Sequence, residues 1–259
     1  MILVLGASGT TGRRVAHQLR SGGHFVRPAS RHGDVHFDWS EPGSWQSAVA
    51  GSKRMYLMAP DGVAVDPAFV KSAVQWGVRR IVLLSSRSIE TMGDERLMAA
   101  EQTVRAADAE WTIVRATWFN QNFDEGFLRE AVLGGEVALP LGNARYAFVD
   151  AEDVATVAAT ALIGDEHAGE TYEVTGPYAL SFAEALEIIS RASGRTIRFL
   201  GGDDDYVKAQ GRPREQMLGE LQAFRALREQ GDEVPTDAVE GVTARPPRRF
   251  EDYARAVWA

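Results

Sequence analysis

Cysteine is absent from the 259-residue chain, and lysine is scarce, since only three of the 28 basic residues are lysines, at positions 53, 71 and 208. The lack of cysteine excludes disulfide bonds and thiolate chemistry. No apolar stretch approaches the roughly 20 residues of a membrane span, and no basic segment precedes the opening apolar run. We therefore expect no signal peptide, no membrane partner and a cytoplasmic location.

Basic clusters and metal-ligand clusters are also missing. The formal net charge is −8 with no basic block, which argues against a nucleic-acid partner. Of the five histidines, His32 and His36 lie four residues apart, but their segment is typical of a solvated loop and a strand rather than a metal-binding helix. No flavin motif occurs either, so we expect neither a metal nor a flavin.

The start of the chain carries its most informative motif. The apolar run Ile2–Leu5 predicts a strand buried on both faces, and three glycines and a helix-periodic segment follow it. Glycines at this spacing permit a tight turn, a close approach of pyrophosphate, and close packing of helix on strand. The helix N-terminus adds free N–H groups and a positive dipole end. An ordinary glycine-rich turn is the alternative. We predict a dinucleotide site formed by Gly6, Ser8, Gly9, Thr10, Thr11 and Gly12.

Short apolar runs alternate with longer amphipathic segments through the first half of the chain. We predict strands at residues 2–5, 25–29, 35–37, 54–58, 80–84 and 112–114, and helices at residues 11–20, 44–50, 67–76 and 96–107. Such alternation is typical of βαβ units, and right-handed crossovers fix a doubly wound order. The predicted fold is therefore α/β, a doubly wound, mostly parallel sheet of the Rossmann type. Cofactor and substrate should meet at the carboxyl ends of its strands.

The pattern changes after about residue 115. We predict helices at residues 119–133, 150–162 and 181–192, strands at residues 137–139, 146–149, 171–175 and 197–200, and mostly helix from residue 203 onward with a break near residues 231–237. Ser181 and Glu184 fit a capping box. No composition shift marks an independent second domain. Residues 1–115 are therefore predicted as the dinucleotide-binding core, and residues 116–259 as a small C-terminal α/β substrate lobe continuous with it.

The segment after the second predicted strand bears on the choice of nucleotide. NAD sites place an acidic residue there, about 20 residues after the glycines, to bind the ribose hydroxyls. This chain has Ser30 and Arg31 instead, which can hydrogen-bond and neutralise a 2′-phosphate. In the alternative, Arg31 is a loop cation and Asp34 binds the ribose. We favour NADP, with NAD as the alternative.

Three more dipeptides follow predicted strands and extend the cofactor site. In Asp38-Trp39 the carboxylate can accept from the adenine amino group beside the indole, although a turn aspartate and a packing tryptophan explain the pair equally well. Ala59-Pro60 offers a small side chain and a fixed turn where the nicotinamide ribose would pass. Ser85-Ser86 is predicted near the nicotinamide, with the first serine on the cofactor and the second on the substrate.

These residues, in this order, resemble the atypical short-chain dehydrogenase/reductase superfamily and, more narrowly, its NmrA-like branch. The resemblance covers nearly the whole chain. The stretches that carry it are residues 6–12, 30–31, 37–39, 77–85, 111–115, 118–123, 148–155, 172–177 and 247–250. It implies NAD(P) binding and one of three roles: an NADPH-dependent reductase of quinones or other acceptors, a redox sensor without turnover, or a reductase-like partner in the oxygenation of aromatic polyketides.

The chain departs from the superfamily pattern in one chemical respect. Ordinary members use Tyr-x-x-x-Lys, in which the tyrosine donates the proton and the lysine lowers its pKa. None of the six tyrosines here has a lysine four residues later, and the helix expected to carry the pair, Arg96–Arg105, contains neither residue. Alcohol–ketone chemistry by this relay is therefore not expected, and no catalytic residue is assigned. A quinone depends less on the relay because its hydroquinone is acidic and delocalised, so the cofactor can carry the chemistry while the protein aligns the reactants.

The stretch Trp118–Phe127 is predicted to form a wall of the substrate site. Its aromatic rings can stack on a flat ring system and its amides can donate to quinone oxygens. Since Phe119, Phe123 and Phe127 are also at helical spacing, core packing is expected for at least one of them. The predicted substrate contacts are Ser86, Trp118, Phe119, Asn122 and Phe123.

Several charged residues have structural roles in this interpretation. Asp150 and Asp153 are predicted to cap a helix, with a catalytic role as the alternative. Glu101, Arg105 and Arg115 are predicted to pair with one another, without a part in catalysis.

The sequence therefore predicts an NAD(P)H-dependent oxidoreductase that reduces a quinone or a planar aromatic polyketide. In one form of this role the reduced substrate reacts with oxygen in a flavin- and metal-free hydroxylation step of secondary metabolism. The alternative is an NADP-binding redox sensor with a protein partner. Substrate identity and oligomeric state stay open, because an apolar face that could serve a homodimer is not distinguishable from core in the sequence.

Overall fold

A computed structural model describes all 259 residues and contains eleven strands and twelve helices. The strands are β1 Ile2–Leu5, β2 Val26–Ser30, β3 Val35–His36, β4 Arg54–Leu57, β5 Arg80–Ser86, β6 Glu110–Ala116, β7 Glu136–Ala138, β8 Arg145–Tyr146, β9 Glu170–Val174, β10 Leu180–Ser181 and β11 Arg198–Leu200. The helices are α1 Thr10–Ser21, α2 Trp45–Val49, α3 Pro67–Gln75, α4 Ile89–Met92, α5 Glu95–Arg105, α6 Arg129–Gly134, α7 Ala151–Ile163, α8 Phe182–Ser193, α9 Asp203–Gln210, α10 Leu218–Gln230, α11 Ala238–Thr243 and α12 Phe250–Trp258. None of these helices has both the length and the apolar character needed to cross a membrane.

Seven strands form one sheet in the order β3-β2-β1-β4-β5-β6-β9. Every neighbouring pair in it is parallel. The strand order reverses between β1 and β4, which is where a doubly wound sheet opens a crevice for a ligand at its carboxyl edge. The predicted α/β fold of the Rossmann type is confirmed.

Both faces of this sheet are covered by helices. All four residues of β1 are buried, with Val4 in the core beneath α1 and α7, and Leu3 and Leu5 in the core beneath α2, α3 and α5. Because successive side chains of a strand point to opposite faces, a strand between two helical layers is apolar throughout. This burial explains the unbroken apolar run at the start of the chain.

The later part of the chain adds to this sheet and also builds a third core. The strand β9 pairs with β6 at the edge of the main sheet. Two small sheets, β7 with β11 and β8 with β10, pack with α8 and α12 around an aromatic cluster. Its largest members include Phe123, Tyr146, Phe148, Phe182 and Phe250. This third core lies directly after β6 in the chain and supports one side of the crevice.

The predicted long helix at Phe119–Leu133 is wrong. The structure has a 3-10 turn at Asn120–Asn122, then a tight loop, and α6 begins only at Arg129. A Cβ at Gly126 would lie 2.8 Å from the Cα of Asn122, so the chain folds back on itself at this glycine. Polar bonding replaces the helical ladder, since the Gln121 side chain donates to Asp150 at 3.1 Å and accepts from the Ala151 N–H at 2.8 Å.

Other elements agree with the sequence more closely. The predicted capping box is present, since the Glu184 N–H donates to Ser181 Oγ at 3.2 Å and the Ser181 N–H donates to Glu184 Oε2 at 2.8 Å. Asp150 caps α7 as predicted by accepting from the Glu152 N–H at 2.9 Å.

The predicted capping role of Asp153 is wrong. Asp153 lies inside α7, where it accepts from the Arg248 N–H at 2.7 Å. The predicted strand at residues 146–149 is reduced to β8.

Candidate functional site

The turn between β1 and α1 depends on its glycines. Gly6 has a φ of +63°, in the left-handed region that other residues rarely adopt. A Cβ at Gly12 would lie 2.2 Å from the Gly6 carbonyl oxygen, so α1 can begin this close to β1 only with glycine there. Gly9 is the N-cap residue of α1, and its N–H donates to the Gly6 carbonyl at 2.8 Å. The turn is therefore compact and leaves its outer side clear.

The first turn of α1 is open to an anion. No side chain caps this helix and no acidic residue lies in its first turn, so its leading N–H groups keep their donor capacity at the positive end of the helix dipole. Ser8 is exposed and Thr10 is half-buried, whereas Thr11 is buried and its hydroxyl accepts from Tyr56 at 2.9 Å. Thr11 thus fixes α1 against β4, and the remaining cradle fits a phosphate group.

Ser30 and Arg31 lie beside this cradle at the end of β2. The Ala7 N–H donates to the Ala29 carbonyl at 3.1 Å, which ties the glycine turn to β2. Ser30 is 9% exposed, while Arg31 is exposed and its guanidinium has no ion-pair partner within the chain. The structure therefore brings a free cation next to the phosphate cradle, where the sequence predicts a 2′-phosphate.

Asp38 and Trp39 have contacts of their own at the start of the next loop. Asp38 Oδ1 accepts from the Ser40 N–H at 2.8 Å and from the Ser40 hydroxyl at 2.7 Å, and these bonds hold the pKa of the carboxyl below its ordinary value. Trp39 packs edge-on against Phe37 and Phe69, with ring centroids 5.1 and 5.2 Å away. The geometry matches a turn aspartate and a packing tryptophan, and it leaves Asp38 Oδ2 without a partner.

A cavity of about 370 Å³ opens at the carboxyl ends of β4, β5 and β6. Helices α4, α5 and α10 contribute its outer walls through Met92, Leu97 and Leu227. The residues predicted for the site that do line it are Ala59, Ser85, Ser86, Trp118, Phe119 and Asn122. The sheet edge thus brings together predicted residues from three separate segments, as the topology requires.

Two of the residues predicted near the nicotinamide or the substrate lie outside this cavity. Pro60 is exposed beside it. Phe123 is wholly buried, with its ring 5.5 to 5.9 Å from the rings of Phe148, Phe182 and Phe250. Phe123 is a core residue, and the predicted substrate contact is corrected. The loop at Gly126 turns Phe127 into the cavity instead.

The model of the NmrA-like family matches residues 1–254. The chain belongs to the NmrA-like family. YesF of Bacillus subtilis (strain 168), an uncharacterized oxidoreductase, is 34% identical to this chain. The alignment covers 98% of this chain and 94% of the YesF chain. The NAD(P)H azoreductase of Xenophilus azovorans is 30% identical over 99% of this chain and 97% of its own.

A solved structure shows the same fold across the whole length of this NmrA-like chain. The NADPH-dependent quinone oxidoreductase of Escherichia coli, complexed with NADPH, has a TM-score of 0.80 and covers 100% of both chains at 18% identity. At that identity the likeness concerns the fold alone. It places the NmrA-like chain in the Rossmann class independently of its glycine motif.

The sequence did not point to several polar residues that line the cavity, and these include Arg87, Thr117 and Glu233. Thr117 Oγ1 donates to Glu233 Oε2 at 2.7 Å, and the Ala147 N–H donates to the same oxygen at 2.9 Å. Arg87 lies 3.9 Å from Glu233 and 3.1 Å from Glu173. Glu233 belongs to the polar break at residues 231–237, and no local pattern in that break points to a cavity nearly 150 residues earlier in the sequence.

A buried polar network supports the floor of the cavity. The Ser85 hydroxyl donates to Glu101 Oε1 at 2.7 Å, and Arg115 holds both oxygens of Glu101 at 2.8 Å. Burial would raise the pKa of Glu101, but hydrogen bonds from Arg115 and Ser85 outweigh it, and the pKa lies below its ordinary value. Arg105 adds a contact at 3.4 Å, so the predicted pairing of these charged residues is confirmed. Because its proton is engaged, Ser85 presents acceptor lone pairs to the cavity.

Neither tyrosine nor lysine lines the cavity of this NmrA-like chain. Tyr56 donates to Thr11, and Tyr253 donates to Asp124 at 2.6 Å. The hydroxyl groups that do reach the cavity belong to serine and threonine residues, notably Ser86 and Thr117.

Proposed function

We propose that the protein is an NADPH-dependent reductase of a planar, electron-poor acceptor, with quinones as the substrate class. One observation carries the proposal: the cavity beside the phosphate cradle combines aromatic faces with hydrogen-bond donors. Trp118, Phe119 and Phe127 supply the faces, while the Asn122 amide and the Arg87 guanidinium supply the donors. Such a mixture of aromatic surface and hydrogen-bonding groups suits a flat ring that bears carbonyl oxygens.

The proposed cofactor is supported by the fit of the residues around the glycine turn. The uncapped start of α1 suits the pyrophosphate, and the unpaired guanidinium of Arg31 suits the 2′-phosphate that distinguishes NADP from NAD. The azoreductase from Xenophilus azovorans is described as using NAD(P)H, and the quinone oxidoreductase from Escherichia coli binds NADPH in its crystal structure. We extend that cofactor to this chain.

Reduction of a quinone does not require a side chain of the protein to donate a proton. NADPH supplies a hydride, and the quinone takes up this hydride together with one proton from solvent to give a hydroquinone and NADP⁺. The aromatic wall holds the ring in position. Asn122, whose side-chain amide has no partner within the chain, can donate to one carbonyl oxygen. Arg87 also lines the wall; its Nε pairs with Glu173 at 3.1 Å, and its Nη2, which has no partner within the chain, can donate to the second oxygen, on which negative charge develops.

A narrower role concerns the fate of the reduced product. The resemblance to the NmrA-like branch implies a planar aromatic polyketide as one acceptor, whose dihydroquinone can react with oxygen without flavin or metal. That proposal predicts oxygen uptake and a hydroxylated product, in contrast to simple accumulation of hydroquinone. The two outcomes separate the oxygenation role from plain quinone reduction.

The test is to follow NADPH oxidation with a panel of quinones, with and without oxygen, in the wild type and in Asn122→Ala. We expect turnover with several quinones and, because a hydrogen bond to the substrate is lost, a decrease of about tenfold in kcat/KM in the variant. Gln222→Ala changes an exposed residue of α10 and serves as the matched control. Tight NADPH binding without turnover of any quinone would overturn the proposal and favour the redox sensor.

A further inference from the structure

A second, smaller cavity lies beyond the wall of the first. Its volume is about 160 Å³, and it is enclosed by α6, β7 and α9. The side chains that line it are mainly aliphatic, and they include Leu128, Ala131, Val137, Ala138, Leu139 and Ala209. Reduction of a quinone ring in the first cavity does not require this second cavity.

Two polar side chains at the edges of the second cavity bond to residues outside it. Glu136 pairs with Arg198 at 2.5 Å on the protein surface. Tyr206 donates its hydroxyl to Glu220 at 3.1 Å. The interior therefore presents hydrocarbon, and it offers no charged partner to an ionic ligand.

Phe127 lines both cavities. It follows Gly126 in the tight loop after the 3-10 turn, its centroid lies 6.2 Å from that of Trp118, and the residue is 62% exposed. An exposed side chain of this kind changes rotamer on a fast timescale. Phe127 is the only residue that lines both cavities, so the two cavities adjoin at this side chain.

We propose that the second cavity binds an aliphatic tail attached to the quinone ring that occupies the first cavity. The inference rests on the proposed function, since it assigns the ring to the cavity at the sheet edge. The second cavity could instead be a void left by imperfect packing, but such a void would not need to adjoin the first cavity. Because Phe127 lines both cavities, a tail attached to the ring is the favoured occupant. The aliphatic lining and the small side chains of Ala131 and Ala138 suit a narrow, uncharged chain.

The experiment compares quinones that share one ring and carry alkyl tails of increasing length. For the wild type, kcat/KM should rise about fourfold for each methylene buried and then level off when the cavity is full. Ala138→Leu and Ala131→Leu fill the cavity from two elements and should flatten this dependence, while the quinone without a tail is reduced as before. Ala68→Leu lies at an exposed position of α3 and controls for non-specific binding of the longer tails.

Binding is measured separately from turnover, through the fluorescence of Trp118 beside Phe127. A Trp118→Phe variant identifies the share of the signal that comes from this residue. If affinity rises with tail length in the wild type and in Ala68→Leu but not in the cavity-filling variants, the tail site stands, even if no quinone is reduced. If neither affinity nor kcat/KM depends on tail length while the tailless quinone is reduced, the tail site is refuted and the reductase proposal survives. Thermal melting of each variant identifies any that fails to fold.

Discussion

The hydroxyl group of Thr117 donates a hydrogen bond of 2.7 Å to Oε2 of Glu233. This bond joins the end of β6 to the segment at residues 231–237, far along the chain. The Ala147 N–H donates to the same oxygen, and Arg87 carries the nearest positive charge. Glu233 therefore anchors the C-terminal part of the chain over one side of the cavity.

Replacing Glu233 by alanine should loosen that side of the cavity. Two donors lose their acceptor, which costs about 1–3 kcal/mol of stability. Substrate binding must then order the segment again, so we expect KM for the quinone to rise about tenfold with kcat little changed. Steady-state kinetics measure both, and Glu229→Ala, at an exposed position of α10, is the control. A parallel loss of NADPH affinity would contradict this role, because the phosphate cradle does not contact Glu233.

The choice of nucleotide should depend on Arg31. In Arg31→Ala the charge-assisted bonds to a 2′-phosphate are lost, so the Kd for NADPH should rise by about ten- to a hundredfold while that for NADH stays the same. Titration calorimetry or nicotinamide fluorescence measures both constants. Arg20→Ala removes an exposed arginine from the far end of α1 and should change neither. Equal losses for both nucleotides would show that Arg31 does not contact the 2′-phosphate.

Substitutions at two glycines of the turn should affect different properties, stability at Gly12 and nucleotide affinity at Gly9. A Cβ at Gly12 would lie 2.2 Å from a backbone oxygen, so Gly12→Ala must push α1 away from β1 and should destabilise the fold by about 1–3 kcal/mol. A Cβ at Gly9 would lie 3.3 Å from the same oxygen, so Gly9→Ala should fold almost normally. That methyl group would face the pyrophosphate, and NADPH affinity should fall about tenfold or more. Urea unfolding and nucleotide titration of both variants test the difference, and normal NADPH binding by Gly9→Ala would count against the cradle.

Stability at mildly acidic pH should reflect Asp153. Burial raises the pKa of this carboxyl to about 6, against the opposing hydrogen bond from the Arg248 N–H. Because the pKa is higher in the folded state, the folded state binds more protons between the two pKa values. The contribution is present below the unfolded pKa of about 4 and is lost as the pH rises through about 6.

Asp153→Asn should remove this dependence and keep the acceptor for Arg248. Its free energy of unfolding, relative to the wild type, should therefore increase by about 1–3 kcal/mol between about pH 4 and pH 7. Urea unfolding across this range measures the difference. Asp108→Asn, at an exposed position, should run parallel to the wild type, and a parallel course for Asp153→Asn as well would refute the assignment.

The sequence predicts those residues of the site that come shortly after a strand of the main sheet. Ser86 and Asn122 were predicted near the substrate and do line the cavity, because the carboxyl ends of parallel strands converge at one edge of the sheet. Phe123 and Phe127 show the limit of this reasoning. Both were candidates by spacing, but the fold at Gly126 buries the first and exposes the second to the cavity. A period of hydrophobic residues does not reveal such a bend, since the bend depends on polar bonds from Gln121 to a distant helix.

The amino-acid sequence by itself determined the strand, glycine turn and helix at the start of the chain, the parallel arrangement of the main sheet, and the position of Ser30 and Arg31 beside the glycine turn. These features follow from local constraints, namely the space around Gly12, the burial of β1 on both faces, and the short distance along the chain between β1 and β2. Only the tertiary structure decided that Glu233 closes the cavity, that Glu101 holds Ser85, and that Phe127 separates two cavities. Each of these depends on contacts between segments far apart in the chain, and such contacts form only when the separate cores pack together.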